Sequence, residues 1–275
     1  MCSKNKKYGV ILRTYATKES DVEKRVKMVG ETVKKVLAVE VDGEKVFSKI
    51  DVLVWANNRF KDADCGKTAP ALTEALAEFS AVEVEEVKNF DLFCGILNYG
   101  ISKQLFKGIN YSMILSPDAN SYLTSEIICK MIEKIDSGAK AVGLAINELT
   151  ESIKEGRLAN TFLMWDNLPL LSVNGFDFLA KKLTPSEDEA FKNAGIKRIQ
   201  GVEEVIPLAR LTQEFGQSLA VVVPESFGEY ILPTDPELLE RHLQKMRSKK
   251  ERQDFLLSQA GFDVDFLKSG VIPQQ

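Results

Sequence analysis

Short apolar runs alternate with helix-like segments over the first half of this chain, and this alternation limits the folds open to it. The first run, residues 8–13, is typical of a buried strand. Five valines then recur at helical spacing: Val22, Val26, Val29, Val33 and Val36. Thr17 is the expected cap of that helix. The βαβα succession predicts an α/β fold, a three-layer α/β/α sandwich with a mostly parallel sheet.

The later pattern predicts the remaining elements. Further strands are expected over residues 51–56, 82–87, 111–115 and 139–145, and helices over residues 69–79, 90–105 and 121–135. Beyond these, short strands are expected at 160–165 and 168–172, helices at 175–182, 185–194 and 202–215, and a last strand at 218–223. Pro207 should bend or delay its helix. We expect residues 1–225 to form one domain and residues 226–275 a helical extension packed on it.

Charge and composition exclude several classes of protein. The 275 residues include 36 basic and 40 acidic side chains, a net charge of -4 that does not suggest a nucleic-acid binder. No apolar run approaches the roughly 18 residues that span a bilayer, and the N-terminus lacks the apolar core of a secretory signal. Four scattered cysteines are expected to be free thiols, and the single His242 argues against a zinc site. We therefore expect a cytoplasmic protein.

One apolar run ends by presenting a carboxylate. The run at 112–115 stops abruptly at Ser116-Pro117-Asp118. A strand of an open α/β sheet offers charged groups to ligands at its carboxyl end. Asp118 can hold Mg²⁺ or Mn²⁺ together with diphosphate oxygens, since hard cations favour oxygen ligands. The alternative is that Asp118 caps the helix expected from about residue 121.

Three further segments carry polar groups at expected strand ends or helix starts. The loop at Arg13, Thr14 and Tyr15 precedes a helix N-terminus, where nucleotide rings or phosphates can bind, although a capped turn explains it equally. The turn at 174–175 allows close approach of backbone to a ligand, and Asp177 follows it. Glu203 and Glu204 open a helix, where the macrodipole favours acids; either is a general base if it faces a cleft.

In this order and spacing, the segments resemble the GT-A fold of inverting, nucleotide-sugar-dependent glycosyltransferases of the family 2 type, over roughly residues 8–225. The loop at residues 13–16 resembles the family's nucleotide loop, and Asn57-Asn58 its base-contacting loop. Asn98 lies in a stretch like the family's "arN-x-Gi" segment. Residues 116–118 match the metal-binding Asp-x-Asp, residues 174–178 the "GGFDE" turn, and residues 203–210 the "ED…R" helix.

The resemblance implies roles for these residues. Asp118 would help to hold a divalent ion, Mn²⁺ or Mg²⁺, and Glu204, beside Glu203, would be the catalytic base. The nucleotide of a nucleotide-diphosphate sugar would be contacted by Arg13, Thr14, Tyr15, Asn57, Asn58 and Asn98. The sugar and an unknown acceptor would be contacted by Asn174, Gly175, Asp177, Trp165 and Arg210. Trp165 is otherwise a core residue.

The sequence departs from the family's pattern at two acids. Ser116 stands in place of the first acid of the metal motif, and Glu204 in place of an Asp. A protein that kept the fold and binds a nucleotide sugar without turnover is therefore the alternative to an enzyme. A sugar nucleotidyltransferase is a third hypothesis, but no Gly-rich loop bearing Arg and Lys follows the first strand.

The C-terminal segment from Pro236 to about Ser258 is charged and helical in pattern. It contains a basic cluster: Arg241, Lys245, Arg247, Lys249, Lys250 and Arg252. One interpretation is peripheral contact with an anionic membrane surface. The alternative is a solvated helix face, with the helix packed on the domain or on a second subunit of a homodimer.

Overall fold

The computed structural model describes residues 6–56, 64–88, 93–146, 153–177, 202–226, 234–247 and 249–273, with Glu189, Asn193 and Leu232 as single positions. Within this part of the chain, seven strands form the central sheet: β1 Tyr8–Thr14, β4 Phe47–Trp55, β5 Val82–Val87, β6 Tyr111–Leu115, β7 Ala141–Leu144, β8 Phe162–Asp166 and β9 Leu219–Val222. A separate hairpin pairs β2 Glu40–Val41 with β3 Glu44–Lys45.

The sheet is mostly parallel, as the sequence predicts. Its order is β5-β4-β1-β6-β8-β7-β9. Strand β8 runs antiparallel to both of its neighbours, β6 and β7, and the other neighbouring pairs are parallel. The order reverses at β1, because the chain adds β4 and β5 on one side before it adds β6 on the other. The crevice between the carboxyl ends of β1 and β6 is thus the switch point at which open α/β sheets bind ligands.

Helices cover both faces of the sheet. The structure describes α1 Val22–Ala38, α2 Thr68–Ala75, α3 Phe93–Phe106, α4 Ser125–Asp136, α5 Asn167–Ser172, α6 Val205–Phe215, α7 Pro236–Arg247, α8 Lys249–Gln259 and α9 Phe266–Ser269. Alternate β1 residues point to opposite faces, so Val10 and Leu12 join a core with α1, α2 and α4. Ile11 joins a second core with α3, α5, α6, α8 and α9. The predicted three-layer α/β/α architecture is confirmed.

Several predicted boundaries are wrong, for local reasons. Thr17 does not cap α1, which starts at Val22 after a 3-10 turn at Glu19–Asp21. A second 3-10 turn, Pro117–Tyr122, delays α4, whose cap is Thr124 accepting from the Ile127 amide at 3.2 Å. The delay expected from Pro207 is confirmed, because α6 starts at Val205.

One predicted strand is a helix, and one hairpin was not predicted. The predicted strand at residues 168–172 is helix α5. Pro169 lies in its first turn, where a missing amide donor costs nothing, whereas within a sheet it removes a ladder hydrogen bond. The hairpin β2–β3 escaped prediction although Asp42-Gly43 carries its signal. Both residues have positive φ, 54° and 78°, as a two-residue hairpin turn requires.

The C-terminal segment is built into the second core. Leu256 and Leu257 of α8 and Leu267 of α9 are buried there. The amides of Ser218 and Leu219 donate to the Gly270 carbonyl at 2.9 and 2.8 Å, and Ile272 N donates to Leu219 O at 2.8 Å. These contacts connect residues 256–272 to the α6 side of the sheet and to its edge at β9.

We expect Leu257→Ala to lower the free energy of unfolding of the whole protein by about 2–5 kcal/mol, because it opens a cavity in a shared core. Leu257 is 0% exposed, whereas Leu168 is 65% exposed, so Leu168→Ala is a matched control expected to change stability by less than about 0.5 kcal/mol. Urea unfolding followed by tryptophan fluorescence measures both. An equal, small effect of the two substitutions would contradict the shared core.

Candidate functional site

The loop after β1 is held against the end of β4 by one carboxylate. Asp64 accepts from the Ala16 amide at 2.9 Å, from the Thr68 hydroxyl at 2.5 Å and from the Gly66 amide at 2.8 Å. It thereby connects this loop to the first turn of α2 and shapes one wall of the switch-point crevice. No spacing or motif pointed to this function of Asp64. Asn57 and Asn58 lie outside the described residues.

The predicted nucleotide loop places its side chains at the end of β1. Thr14 is the last residue of the strand and is buried. The Tyr15 ring lies edge-on to Trp55 of β4, with ring centroids 5.4 Å apart. Arg13 is half-buried and belongs to the β1 residues that face α3. An aromatic pair and a guanidinium thus line the carboxyl end of β1.

Asn98 of α3 organises the predicted acceptor-side turn. Its Oδ1 accepts from the Phe176 amide at 2.7 Å, and its Nδ2 donates to the Phe176 carbonyl at 2.9 Å. The turn has positive φ at Asn174, 70°, and at Gly175, 61°. A Cβ on Gly175 would overlap with Asn98 Oδ1, so glycine is required there. Both polar atoms of the Asn98 side chain are thus bonded to the backbone of this turn. The predicted contact of Asn98 with a nucleotide stays a prediction.

Arg210 fastens α6 to the same turn. Its Nη2 donates to Asp177 Oδ2 at 2.5 Å, and its Nη1 lies 3.5 Å from the Val173 carbonyl. The structure thus brings together Asn98, residues 174–177 and Arg210, three segments far apart in sequence.

Trp165 lies behind this turn and is fully buried. Its ring packs edge-on against Phe176 at 5.3 Å, and its Nε1 donates to Asn160 Oδ1 at 3.3 Å. This burial favours the core alternative for Trp165 over stacking on a sugar.

The predicted catalytic acids are buried beside cations from α8. Glu203 is 6% and Glu204 is 2% exposed, and Glu204 is the N-cap position of α6. The Lys249 ammonium lies 3.2 Å from Glu204 Oε1. Burial raises the pKa of Glu204; Lys249 opposes the rise, and the charge of Glu203 adds to it. Burial lowers the pKa of Arg252, and the charges of Glu204 and Glu203 oppose that.

The Cys94 thiol marks where these charged groups converge. Cys94 lies in the first turn of α3 and is fully buried, and burial raises the pKa of its thiol. The negative charge of Glu203 raises that pKa further, Arg13 opposes it, and Asp177 and Glu204 act more weakly. Charged side chains from the end of β1, the turn and the start of α6 therefore all lie near enough to Cys94 to affect its thiol.

Asp118 lies on the α1 side of the crevice, in the 3-10 turn after β6. The Ser116 hydroxyl donates to its Oδ2 at 3.0 Å, and Arg25 Nη1 of α1 lies 3.6 Å from its Oδ1. The next residues of the turn are held by Lys35, whose Nζ contacts both the carbonyl and Oδ1 of Asn120 at 3.1 Å. Asp118 is therefore paired with a hydroxyl and a guanidinium.

This arrangement does not fit a preformed metal site. No group of three or more His, Cys, Asp or Glu side chains that could hold a metal is found among the described residues. Ser116 occupies the position of a second acid, and the nearest charged neighbour of Asp118 on α1 is positive. The metal-binding prediction for Asp118 stays without structural support.

The basic C-terminal cluster divides between interior and surface. Lys249 and Arg252, 14% and 3% exposed, face the buried acids, which does not agree with a wholly surface-exposed basic face. The Lys250 ammonium lies 3.9 Å from Glu155 Oε2. The side chains of Arg241, Lys245 and Arg247 lie outside what the structure describes. None of the described helices combines the length and the apolar character that crossing a bilayer requires.

The sheet order, the helices on both faces and the switch point between β1 and β6 define a GT-A-like α/β fold. A solved structure similar to this chain is a mannosyltransferase from Pyrobaculum calidifontis in complex with GDP-Man and Mn²⁺. The TM-score is 0.58 at 11% sequence identity, over 92% of this chain and 64% of that chain. This chain thus spans somewhat less than two thirds of the mannosyltransferase, and identity this low shows a shared fold alone.

Two nucleotidyltransferases are more distant in structure. A cytidylyltransferase from Leptospira borgpetersenii gives a TM-score of 0.49 at 11% identity, over 98% of this chain and 100% of that chain. A CMP:2-keto-3-deoxy-manno-octonic acid synthetase with bound CTP gives a TM-score of 0.42 at 10% sequence identity, over 88% of this chain and 99% of that chain. No protein-family model and no curated protein sequence matches this chain.

We expect Lys249→Met to destabilise the protein, because it leaves the buried Glu204 carboxylate without its ammonium partner. Breaking a buried ion pair typically costs about 3–5 kcal/mol of unfolding free energy. Burial raises the pKa of Glu204 above its ordinary value of 4.5, so between that value and the raised pKa the folded state binds more protons than the unfolded state. Stability from this group therefore falls as pH rises above that value, and Lys249→Met should steepen the fall.

Urea unfolding between about pH 5 and about pH 8 measures this slope. The matched control is Lys130→Met, which removes an ammonium from surface pairs with Glu126 and Glu225 and should change stability little. Adding Glu204→Gln to Lys249→Met should remove the extra pH dependence. Equal losses in the two lysine variants at every pH would refute the buried pair.

Proposed function

We propose that this chain binds a nucleotide-diphosphate sugar at the carboxyl ends of β1 and β6 and transfers the sugar to an acceptor hydroxyl. The observation that carries the proposal is the switch-point crevice of a GT-A-like sheet, walled by the β1 loop on one side and by the turn at 174–177 on the other. The similar mannosyltransferase holds GDP-Man, which supports a donor of the same class.

In this proposal the nucleotide lies over the end of β1. Tyr15, with Trp55 against its ring, offers an aromatic surface to a base, and Arg13 and Thr14 offer polar groups to the ribose or phosphates. Asn57 and Asn58 stay predicted nucleotide contacts, whereas Asn98 supports the turn at 174–177.

The sugar and the acceptor lie beside the turn at 174–177. Asn174 and Gly175 bring backbone close to the ligand, and the Asp177–Arg210 pair holds the turn on α6. The left-handed backbone at both turn residues is supported by Asn98, so the turn is ordered before a ligand arrives. Preordered groups of this kind lower the entropy cost of aligning an acceptor hydroxyl with the anomeric carbon.

The proposed reaction is a single in-line displacement with inversion. Glu204 takes the proton of the acceptor hydroxyl, the hydroxyl oxygen forms a bond to the anomeric carbon, and the bond from that carbon to the diphosphate oxygen breaks. The raised pKa of Glu204 suits a general base, a role worth typically about 10²- to 10⁴-fold in rate. Its contact with Lys249 must loosen for the hydroxyl to reach it. No step is assigned to a metal.

A second candidate function is nucleotide-sugar binding without turnover. It is favoured by the burial of Glu204 and its ion pair with Lys249, because a carboxylate held this way accepts no proton from a ligand until α8 moves. Ser116 in place of an acid points in the same direction.

The binding half of the proposal predicts stabilisation by a nucleoside diphosphate. At least one of UDP, GDP, CDP and dTDP should raise the melting temperature, since ligand at about 100 times its Kd adds about 2.7 kcal/mol. Tyr15→Ala should abolish the shift, while Tyr111→Ala, at the opposite end of the strands, should keep it. No shift with any nucleotide or nucleotide sugar would remove the proposed function.

The catalytic half predicts that Glu204→Gln lowers sugar transfer by about 10²- to 10⁴-fold while nucleotide affinity is retained. Glu214→Gln, at the exposed end of the same helix, is the matched control and should transfer normally. Product is measured by mass spectrometry over a panel of donors and hydroxyl acceptors. Normal transfer by Glu204→Gln would exclude it as base, and nucleotide binding without transfer by the wild type would favour the second function.

A further inference from the structure

An ion pair joins α1 to the turn after β6, on the α1 side of the switch-point crevice. Arg25 lies in the second turn of α1, the helix that follows β1, and Asp118 lies in the turn that follows β6. Their closest approach is 3.6 Å, between Arg25 Nη1 and Asp118 Oδ1, and the Ser116 hydroxyl donates to the other carboxylate oxygen at 3.0 Å. Both oxygens of the one acid expected to hold a metal therefore already have neighbours.

A divalent ion and this guanidinium compete for the same carboxylate. A bound Mg²⁺ lies about 2.0–2.1 Å from a carboxylate oxygen. A guanidinium nitrogen 3.6 Å from the same oxygen would therefore lie close to the ion. Like charges this close repel, and the described residues contain no group of three or more His, Cys, Asp or Glu side chains that could hold a metal and offset the repulsion. The charge arrangement at this turn favours a fixed cation over a metal.

Arg25 has the properties that a diphosphate requires. A guanidinium presents several donors in one plane and binds phosphate oxygens in a bidentate manner. The Arg25 side chain is 36% exposed, so it can reach a ligand, and its other contact is a 3.9 Å approach to Met28 Sδ. It lies near the N-terminal end of α1, where the helix dipole also favours negative charge.

We propose that Arg25 takes the place of a divalent cation at the diphosphate of the bound nucleotide, and that Asp118 is the ion-pair partner of Arg25 in the unliganded protein and not a metal ligand. This inference rests on the proposed nucleotide binding and adds that the binding needs no metal. The group that Arg25 would bind is a diphosphate. Inorganic pyrophosphate and nucleoside diphosphates both contain this group and are the probes of its binding.

Asp118→Asn distinguishes a metal ligand from an ion-pair partner of Arg25, because the two roles predict different changes in diphosphate affinity. If Asp118 is a metal ligand, the substitution abolishes metal-supported binding. If Asp118 is only the ion-pair partner of Arg25 in the unliganded protein, the substitution removes a negative charge near the diphosphate, and affinity is unchanged or rises. Arg25→Gln should weaken diphosphate binding by about 10- to 100-fold, the usual effect of losing charge-assisted hydrogen bonds. Lys34→Gln removes one positive charge from an exposed position on the same helix and should have no effect.

Isothermal titration of inorganic pyrophosphate, UDP, GDP, CDP and dTDP, each with EDTA and with Mn²⁺, tests the proposal on the full chain. The expected result is a Kd within about threefold in the two conditions, weakened by Arg25→Gln and not by Asp118→Asn. Circular dichroism melts confirm that the variants are folded, and Arg25→Lys should bind with intermediate affinity.

Two results would overturn the inference and leave the proposed function standing. They are binding that requires Mn²⁺ and is lost in Asp118→Asn, and metal-free binding that Arg25→Gln leaves intact. If neither these probes nor nucleotide sugars bind in either condition, the proposed function fails together with the inference.

Discussion

The neutralisation of two buried acids by cations from α8 is the constraint on which the α3 face of this protein depends. Glu203 and Glu204 are almost completely removed from water, and a buried carboxylate is tolerated only beside compensating charge. Lys249 provides one such charge at 3.2 Å, and buried Arg252 provides another. Helix α8 is therefore part of the core of the site and is more than an appended segment.

Arg157 makes further contacts that hold α8 on the domain. Arg157, 3% exposed, donates to Asp254 at 2.5 Å, to Gln253 at 3.3 Å and to the Val264 carbonyl at 2.8 Å. The chain between β7 and β8 is thereby joined to α8 and to the turn after it. Arg157 is thus a second attachment of α8, in addition to the Glu204–Lys249 pair.

The sequence predicts helices and strands better than it predicts which charged side chains pair with each other. Strands β5 and β6 are predicted to the residue. Strand β6 is a short apolar run with a clear stop, and β5 consists of valines and glutamates in near alternation, which is typical of a strand. Helix α5 was missed since six residues carry too little periodicity to outweigh an apolar strand-like run. The site's chemistry depends on pairs such as Arg25–Asp118, Asp177–Arg210 and Glu204–Lys249. Motif order suggested that 174–177 and 203–210 belong together, but no local pattern reveals which cation meets which acid.

The charges are arranged unequally along the carboxyl edge of the sheet, and that asymmetry bears on what the crevice can accept. At the α1 side, Arg25 is more exposed than Asp118, 36% against 26%, so a ligand meets positive charge there. At the α6 side, Glu203 and Glu204 are buried, and cations of α8 offset their negative charge.

A leaving diphosphate gains negative charge as its bond to the sugar breaks, and fixed donors aimed at that charge stabilise the transition state without reorganising. In the proposed reaction the acceptor hydroxyl loses its proton at the other end of this edge, where Glu204 has a raised pKa. A donor bound with its diphosphate toward α1 therefore matches both charge changes of the displacement, whereas the reverse orientation places the diphosphate against the acids.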